Sequence, residues 1–362
     1  MTIFLEPRLE PGRGARLAVS IASLVLALAL SGLVILAVGI NPVAAYRALF
    51  SGAFGTLYGL SETLVKTTPL ILCGLSVALG LKMKLWNIGA EGQYVIGFLA
   101  TALVALRFGA LPAPVLLPLL AAAALVSAAA WAAAAGWLKA RLGVSEIITT
   151  LLMNWVAILL SQYFAYGPLK GPDGFPYSPA FSPDAWLPRL GWGRVDIGIF
   201  LALAAAVILH LVFRHTLWGF EIRAIGDSPR AARAAGMGIE RNIVLVLALA
   251  GGLAGLAGFT EASGVERRLS PHTAADYGYT AILVAWLARS HPLLVILVAF
   301  LFGGLYTGGE MIQIGMGVPV SVINILQGSI LFFLLAGDFL MNYRIRFGKR
   351  CEQSAVSSEP RA

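Results

Sequence analysis

The chain carries little charge for its length. Of its 362 residues, 12% are Asp, Glu, Lys or Arg and 59% are hydrophobic, whereas soluble domains have roughly 25% and 45–50%. A soluble globule of this size needs a much larger charged surface, so that class of protein is excluded. The long apolar runs instead predict a polytopic membrane protein whose outer surface faces lipid.

Cysteine and histidine are also scarce. The two cysteines, Cys73 and Cys351, lie in an apolar run and in a polar C-terminal segment, which indicates neither a disulfide nor a metal site. His210 and His215 lack the spacing of metal ligands, and no Gly-x-x-x-x-Gly-Lys phosphate-binding loop is present. We therefore expect no catalytic residue, no metal and no cofactor in this chain.

Ten apolar runs are candidates for membrane spans. They cover residues 17–40, 60–81, 87–106, 115–138, 145–166, 196–213, 242–262, 274–288, 292–310 and 320–340. With the N-terminus in the cytoplasm, 18 of the 26 basic residues lie inside, seven lie outside and Lys66 lies within a span. The positive-inside rule then predicts an all-α protein with about ten spans and both termini inside.

This topology divides the chain into a cytoplasmic basic tail (1–16), a transmembrane permease domain (17–341) and a second cytoplasmic tail (342–362). The transmembrane domain contains an external loop at 167–195 and a cytoplasmic loop at 214–241. Proline, glycine and aromatic residues are frequent in the external loop, which is either a docking surface or a spacer.

The sequence also contains a weak internal repeat. Gly143 and the helical segment after it lie 174 positions before a similar segment that begins at Gly317. The first lies on the predicted cytoplasmic side and the second outside, so the two halves run in opposite directions. An inverted repeat of this kind is typical of transporters. The alternative is chance similarity between Gly- and Ala-rich helices.

Several polar residues lie inside predicted spans, where they usually face protein or water rather than lipid. The ionisable ones are Glu62, Lys66, Glu91, Glu310 and Asp338. Glu62 and Lys66 are four residues apart on one helix, a spacing that predicts a mutual ion pair.

Carboxamide side chains in the spans suit a solute with many hydroxyl groups or a base. We predict that the substrate path is bordered by Asn87, Glu91, Gln93, Asn154, Asn324 and Gln327. The segment 87–93 also contains three small residues, so close packing of helices explains its polar groups equally well.

Within the cytoplasmic loop, Asp227 or Ser228 can cap a short helix that begins at Pro229, and Gly236 can end it. A short exposed helix with several alanines offers a compact contact for a soluble partner. A solvated linker is the alternative.

Three motifs resemble a known family. They are Asn-Ile-Gly-Ala-Glu-Gly-Gln at 87–93, Ser-Glu-Ile-Ile-Thr-Thr-Leu-Leu-Met-Asn at 145–154, and the loop at 223–237. Together they resemble the membrane permeases of ABC importers in the branched-chain amino acid, ribose and nucleoside group. The first two motifs are most similar to the nucleoside and simple-sugar branch, and in particular to the larger permease of a heterodimeric pair.

The resemblance implies a pore subunit without ATPase activity that translocates a nucleoside or simple sugar across a bacterial cytoplasmic membrane. It implies three partners: an ATPase subunit that binds ATP and Mg²⁺, a second, unlike permease, and an extracytoplasmic substrate-binding protein. It also implies that the cytoplasmic loop couples to the ATPase through Arg223, Gly226, Asp227, Pro229, Ala232 and Gly236.

Two other functions remain open from the residues alone. One is a secondary transporter driven by protons or sodium through Glu91, Glu310 or Asp338. The other is a membrane scaffold, which requires neither a repeat nor buried amides.

Overall fold

The computed structural model describes residues 2–7 and 13–348. Its thirteen α-helices are α1 (Arg13–Ala37), α2 (Pro42–Phe54), α3 (Leu57–Lys82), α4 (Ala90–Phe108), α5 (Ala113–Leu142), α6 (Glu146–Tyr166), α7 (Gly198–His215), α8 (Leu217–Asp227), α9 (Pro229–Ala234), α10 (Ile239–Thr260), α11 (Tyr277–Leu287), α12 (Pro292–Met316) and α13 (Val320–Asn342). Two strands, β1 (Thr2–Pro7) and β2 (Tyr343–Gly348), flank the helices.

The chain divides into two compact units, one formed by Met1–Ala48 with Ile312–Ala362 and the other by Leu49–Met311. In the first unit, α1 packs against α13, and β1 pairs with β2 in an antiparallel register from Thr2 opposite Gly348 to Pro7 opposite Tyr343. Both strands lie in the predicted tails. The last part of the second tail, 349–362 with Cys351, lies outside the described residues.

In the larger unit, buried helices lie inside a perimeter of helices with exposed apolar faces. In the most apolar 18-residue stretch of α3, 83% of the stretch is buried within the protein. The corresponding buried shares of α5 and α6 are 28% and 22%. Exposed side chains on these outer helices include Val126, Trp137 and Leu152. Because a bilayer rather than water solvates such a surface, the outer helices have the composition expected of lipid-facing spans.

Close packing depends on glycines in α10. A Cβ atom at Gly251 or Gly255 would overlap the carbonyl oxygens of Ala128 and Ala124 in α5, and one at Gly258 would overlap that of Tyr94 in α4. Small residues allow helix backbones to approach this closely in a membrane protein. The glycine-rich run 251–258 is therefore a helix-packing surface.

Each of the ten apolar runs contains a helix. Six of the described helices are long and apolar enough to cross a membrane, and a seventh span results if α1 and α2, bent by 112°, are counted as one. α11 and part of α13 are shorter apolar helices. The helical membrane architecture is thus confirmed, apart from the β1–β2 pair in the predicted tails. The ten-span count, the orientation and the inverted repeat stay predictions.

The two repeat segments have the same local turn. Gly143 (φ +67°) and Gly317 (φ +68°) both adopt the left-handed conformation that favours glycine, and a helix begins three residues after each.

Candidate functional site

Four predicted path residues form one buried group, called here the amide cluster: Asn87, Glu91, Gln93 and Asn154. Asn87 lies in the turn between α3 and α4, Glu91 and Gln93 lie in the first turns of α4, and Asn154 lies in α6. Each side chain is at most 1% exposed. The helix that carries two of these side chains is held by glycine contacts with α10, so the group has a fixed frame.

Asn87 and Gln93 bind each other through both ends of their amides. Asn87 Nδ2 donates to Gln93 Oε1 at 2.9 Å, and Gln93 Nε2 donates to Asn87 Oδ1 at 2.9 Å. Asn87 Oδ1 also accepts from the Gly89 N–H at 3.2 Å. This reciprocal pair closes the turn that leads from α3 into α4 and leaves few donors or acceptors for a solute.

Asn154 joins α6 to the same turn. Its Oδ1 accepts from the Gly92 N–H at 2.8 Å, and its Nδ2 donates to the Ile88 carbonyl at 2.9 Å. A Cβ at Gly92 would lie 2.7 Å from Asn154 Cα. The glycine therefore permits the approach that makes both hydrogen bonds possible.

Glu91 connects α4 with the start of α11. Its carboxylate accepts from the Asp276 N–H at 3.1 Å and from the Gly278 N–H at 2.7 Å. These N–H groups belong to the first turn of α11, where no helical carbonyl precedes them. The side chain thus caps a helix that lies 185 positions further along the chain.

The amide cluster therefore acts as a brace between α4, α6 and α11, because its polar groups satisfy one another and nearby backbone. Asn324 and Gln327 lie in α13, in the other unit. Asn324 is exposed, and the side chain of Gln327 lies outside the described part. That the six residues border a path remains a prediction.

A second group, called the charged cluster, consists of Glu62, Lys66, Arg194, Glu261 and Glu310. Lys66 Nζ lies 2.6 Å from Glu310 Oε1 of α12, and Arg194 Nη1 lies 3.4 Å from Glu62 Oε2. The predicted ion pair between Glu62 and Lys66 is therefore wrong. Their helical spacing is as predicted, but each side chain meets an opposite charge on a neighbouring element instead.

The charged cluster is less completely paired than the amide cluster. Glu62 Oε1 is buried and has no hydrogen-bond partner among the described residues. Glu310 is 51% exposed although it lies in an apolar helix. An exposed carboxylate in a span faces water or another protein rather than lipid, so this part of α12 marks a polar surface within the membrane.

Sequence reasoning missed Glu261. It is 8% exposed and begins a π-helical segment, Glu261–Glu266, that follows α10. Its charged neighbours include Lys66 and Arg194. Glu261 lies at the edge of the predicted span 242–262. An ionisable residue inside a predicted span is the sequence feature that could have identified it.

A row of tyrosines extends from the amide cluster. The rings of Tyr94 and Tyr277 are 5.9 Å apart, and those of Tyr277 and Tyr306 are 5.8 Å apart, both edge to face. Tyr306 lies one helical turn before Glu310 of the charged cluster. Aromatic contacts thus run from α4 through α11 to α12, between the neighbourhoods of the two clusters.

The external loop packs onto the segment after α10. The Phe181 N–H donates to the Arg267 carbonyl and the Leu187 N–H to that of Ser263, while the Arg267 guanidinium lies 4.2 Å from the centre of the Trp186 ring. Asp196, which lies between the external loop and the start of α7, accepts from the Gly198 N–H at 2.7 Å. Burial raises the pKa of Asp196 to about 6.

The cytoplasmic loop contains two helices, α8 and α9. Ser228 Oγ accepts from the Ala231 N–H at 3.3 Å and caps α9, Pro229 is its first residue, and Gly236 follows it with φ +77°. The predicted short helix is therefore present. Asp227 is the last residue of α8 and not the cap.

Two residues predicted to couple to an ATPase point into this chain. Ala232 is 3% exposed, and the Arg223 guanidinium donates to the Phe213 carbonyl. A Cβ at Gly226 would overlap the Lys82 carbonyl oxygen, so α8 lies directly on the end of α3. The exposed surface of α9 instead comprises Pro229, Arg230, Ala231, Arg233 and Ala234.

Within residues 2–7 and 13–348, no three His, Cys, Asp or Glu side chains are arranged to hold a metal ion. The prediction that no metal or cofactor binds this chain itself is not tested by that finding.

Comparison with known proteins gives matches over most of the chain. The family described as "branched-chain amino acid transport system / permease component" matches residues 59–335. The glucose ABC transporter permease protein TsgB13 of Haloferax volcanii is 38% identical over 94% of this chain and 93% of its own length. The guanosine ABC transporter permease protein NupP of Bacillus subtilis is 34% identical over 92% and 96%.

The nucleoside ABC transporter permease protein NupB of Lactococcus lactis is 31% identical over 94% of this chain and 96% of its own length. Bacillus subtilis and Lactococcus lactis each have a second permease that matches this chain more weakly. NupQ of Bacillus subtilis is 27% identical over 67% of this chain, and NupC of Lactococcus lactis is 22% identical over 67%.

Proposed function

This chain belongs to the family of branched-chain amino acid transport system permease components and is a multi-pass permease subunit of an ABC transporter, and from this membership we propose that it imports a nucleoside or a simple sugar. The observation that carries the proposal is the full-length similarity to permeases named for glucose, guanosine and nucleosides. These solutes are neutral and rich in hydroxyl groups, and they require hydrogen-bonding groups along the path.

The proposed complex contains a second, unlike permease, an ATPase subunit and an extracytoplasmic binding protein in a bacterial cytoplasmic membrane. The pairs NupP with NupQ and NupB with NupC support a heterodimer. In this arrangement the ATPase subunit binds ATP and Mg²⁺ and hydrolyses the nucleotide. This chain supplies the pore and needs no cofactor of its own.

The proposed architecture has ten spans, both termini inside and an inverted repeat that relates α3–α6 to α10–α13. Reciprocal packing within the larger unit supports the repeat. α10, the first helix of the second half, packs against α4 and α5 of the first half, while α3 packs against α11. A Cβ at Gly74 of α3 would lie 2.8 Å from Val295 of α12, so α3 also contacts the third helix of the other half.

Coupling to the ATPase occurs through the cytoplasmic loop in this proposal. Gly226 allows α8 to lie on the end of α3, Arg223 ties α8 to the Phe213 carbonyl of α7, and Ala232 is buried on α9. Asp227, Pro229 and Gly236 define the ends of the two helices. Closure of the ATPase dimer moves α9 and the adjoining α8. Because α8 packs directly on the end of α3, the buried helices move with it. The two halves then open the path alternately to each side.

In this proposal Asn87, Glu91, Gln93, Asn154, Asn324 and Gln327 belong to the wall of the path. The first four hold the helices of this wall in place and do not face the solute, since their amides and carboxylate are already hydrogen-bonded to neighbouring groups. The charged cluster supplies the surface that meets water, because Glu310 is half exposed within an apolar helix.

Reconstitution tests this function. The chain is co-expressed with the ATPase and the second permease encoded beside it, inserted into liposomes, and supplied with the binding protein and labelled guanosine or glucose. The proposal expects uptake that requires ATP inside the liposome. Uptake driven by a proton or sodium gradient without ATPase would support the secondary-transporter alternative and contradict the proposal.

A pull-down tests the coupling surface separately. Replacing Arg230 and Arg233 with Glu places acids on the exposed side of α9 and should abolish co-purification of the ATPase. Arg107→Glu, at the end of α4, is the matched control because this arginine is also exposed but lies far along the chain from the loop. Undiminished recovery of the ATPase with the double variant would overturn the coupling assignment.

A further inference from the structure

A cavity of about 590 Å³ lies where the ends of α5 and α10 meet the turn after α9. It is lined by Trp137, Ala140 and Arg141 of α5, Arg233 of α9, Met237 and Gly238 of the turn, and Ile239, Glu240, Arg241 and Val244 of α10. We call it the arginine cavity. It is separate from the amide and charged clusters, and neither the proposed path nor the coupling surface explains its apolar side.

The cavity carries a surplus of positive charge. Three arginines, Arg141, Arg233 and Arg241, face one carboxylate, Glu240. Glu240 lies 3.7 Å from Arg141, and both side chains are more than 60% exposed, so this pair is weak. Arg233 and Arg241 have no carboxylate within 4 Å among the described residues. The lining is therefore complementary to an anion.

The cavity also has an apolar side that continues along the membrane-facing surface. Trp137 is 53% exposed, and Leu245 and Leu249 are exposed on the next turns of α10. Both α5 and α10 are candidate spans, so these side chains lie at or within the apolar part of the bilayer. Tryptophan is enriched at the membrane–water boundary, where one part of its ring is apolar and the other is hydrated.

We infer that the arginine cavity binds the headgroup of an anionic phospholipid, with an acyl chain lying along α5 and α10. The phosphate group pairs with Arg141 and Arg241, while Trp137 and Val244 contact the glycerol backbone and the beginning of the chain. Basic pockets at the ends of spans bind anionic lipids for this physical reason. A free phosphate or nucleotide would match the arginines but would leave the apolar side uncovered.

The position of the site gives the lipid a consequence for transport. Arg233 belongs to α9, the helix that carries the proposed contact with the ATPase, and Met237 lies in the turn that joins α9 to α10. A lipid bound here holds α9 against the ends of two spans. This consequence rests on the proposed function, whereas the binding itself rests only on the cavity and the membrane placement.

The test measures lipid retained by the full chain, purified with its partner subunits from membranes that contain phosphatidylglycerol. Native mass spectrometry compares the wild type with an Arg141→Gln, Arg241→Gln double variant. Arg289→Gln is the control, since Arg289 is also exposed and lies at the end of an apolar helix but outside the cavity. We expect retention of phosphatidylglycerol to fall roughly ten-fold in the double variant and to stay unchanged in the control.

Three results would overturn the inference. One is equal retention of phosphatidylglycerol by all three proteins. Another is equal retention of phosphatidylcholine and phosphatidylglycerol by the wild type. The third is displacement of the lipid by millimolar inorganic phosphate or ATP, which would identify a site for soluble anions instead. Because this readout requires no uptake, a failure of the transport proposal would leave it unaffected. Unfolding temperatures of all variants verify that they are folded.

Discussion

The amide cluster and the charged cluster are both polar groups inside membrane helices, yet they differ in how their hydrogen bonds are satisfied. Asn87, Gln93 and Asn154 are buried and bonded to one another or to backbone. In the charged cluster, one oxygen of Glu62 is without a partner among the described residues, and Glu310 is half exposed.

This difference separates two structural roles. A buried network that satisfies all its members fixes the relative positions of the helices that carry it, because breaking any bond leaves an unpaired group in a medium without water. An incompletely paired, partly exposed ion pair can open at low cost and exchange its partner for water. We therefore expect the amide cluster to hold its helices in fixed positions and the charged cluster to form the surface that changes its contacts.

Replacing Asn154 by Leu should cause the largest loss of stability among the four changes considered. The variant leaves the Gly92 N–H and the Ile88 carbonyl buried and unpaired, which costs about 2–4 kcal/mol of unfolding free energy. Asn154→Asp keeps the acceptor for Gly92 and should lie between the variant and the wild type. Unfolding in detergent measures the series, and equal stability of all three proteins would refute the bracing role.

Glu91→Gln should have the next largest effect. The amide retains one acceptor oxygen, so only one of the two N–H groups at the start of α11 can keep its bond. We expect a loss of about 1–2 kcal/mol and faster hydrogen exchange at Asp276 and Gly278. Unchanged exchange at these two amides would show that the carboxylate does not cap α11.

Asp196 borders the charged cluster and should make stability depend on pH. Its pKa rises from 3.8 in the unfolded chain to about 6 in the folded protein because the carboxyl group is buried. The folded state thus holds the proton more tightly, so this group stabilises the protein below about pH 4, and the contribution is lost as the pH rises to about 6.

Asp196→Asn keeps an acceptor for the Gly198 N–H but has no proton to lose. Relative to the wild type, the variant should gain on the order of 1 kcal/mol between pH 4 and pH 7. Unfolding midpoints at four pH values in this interval check the expectation. Parallel curves for the two proteins would assign the pH dependence to other groups.

Exchanging Lys66 and Glu310 should change stability least and transport most. Lys66→Glu or Glu310→Lys alone places two like charges side by side, which should reduce uptake several-fold. For Glu310→Lys, whose position is half exposed, stability should change by less than about 1 kcal/mol. The double exchange restores the attraction and should recover part of the uptake. If the double variant is as inactive as the single ones while all are folded, the pair does not act as a unit.

Local features of the fold could be predicted from the sequence, because they depend on neighbours along the chain. The apolar runs predicted ten helices, the glycines at 143 and 317 indicated two turns, and Ser228 with Pro229 indicated the start of α9. The resemblance carried by the motifs also led to the correct family.

Contacts between distant segments could not be predicted in this way. Lys66 pairs with a residue 244 positions away rather than with Glu62 on its own helix, since the choice depends on how α3 packs against α12. The same reason applies to Glu261, which is buried where the π-helical segment after α10 begins, and to Ala232, which faces inward although its neighbours on α9 are exposed.

Cysteine accessibility in the assembled, ATP-hydrolysing transporter tests the contrast between the two clusters most directly. In a background where Cys351 is replaced by Ser and Cys73 stays buried, Glu310→Cys and Gln93→Cys are treated with a small charged thiol reagent. We predict rapid modification at position 310, slowed by substrate, and none at position 93. The account would be contradicted if position 93 reacted, or if position 310 reacted only with a membrane-soluble reagent in every nucleotide state.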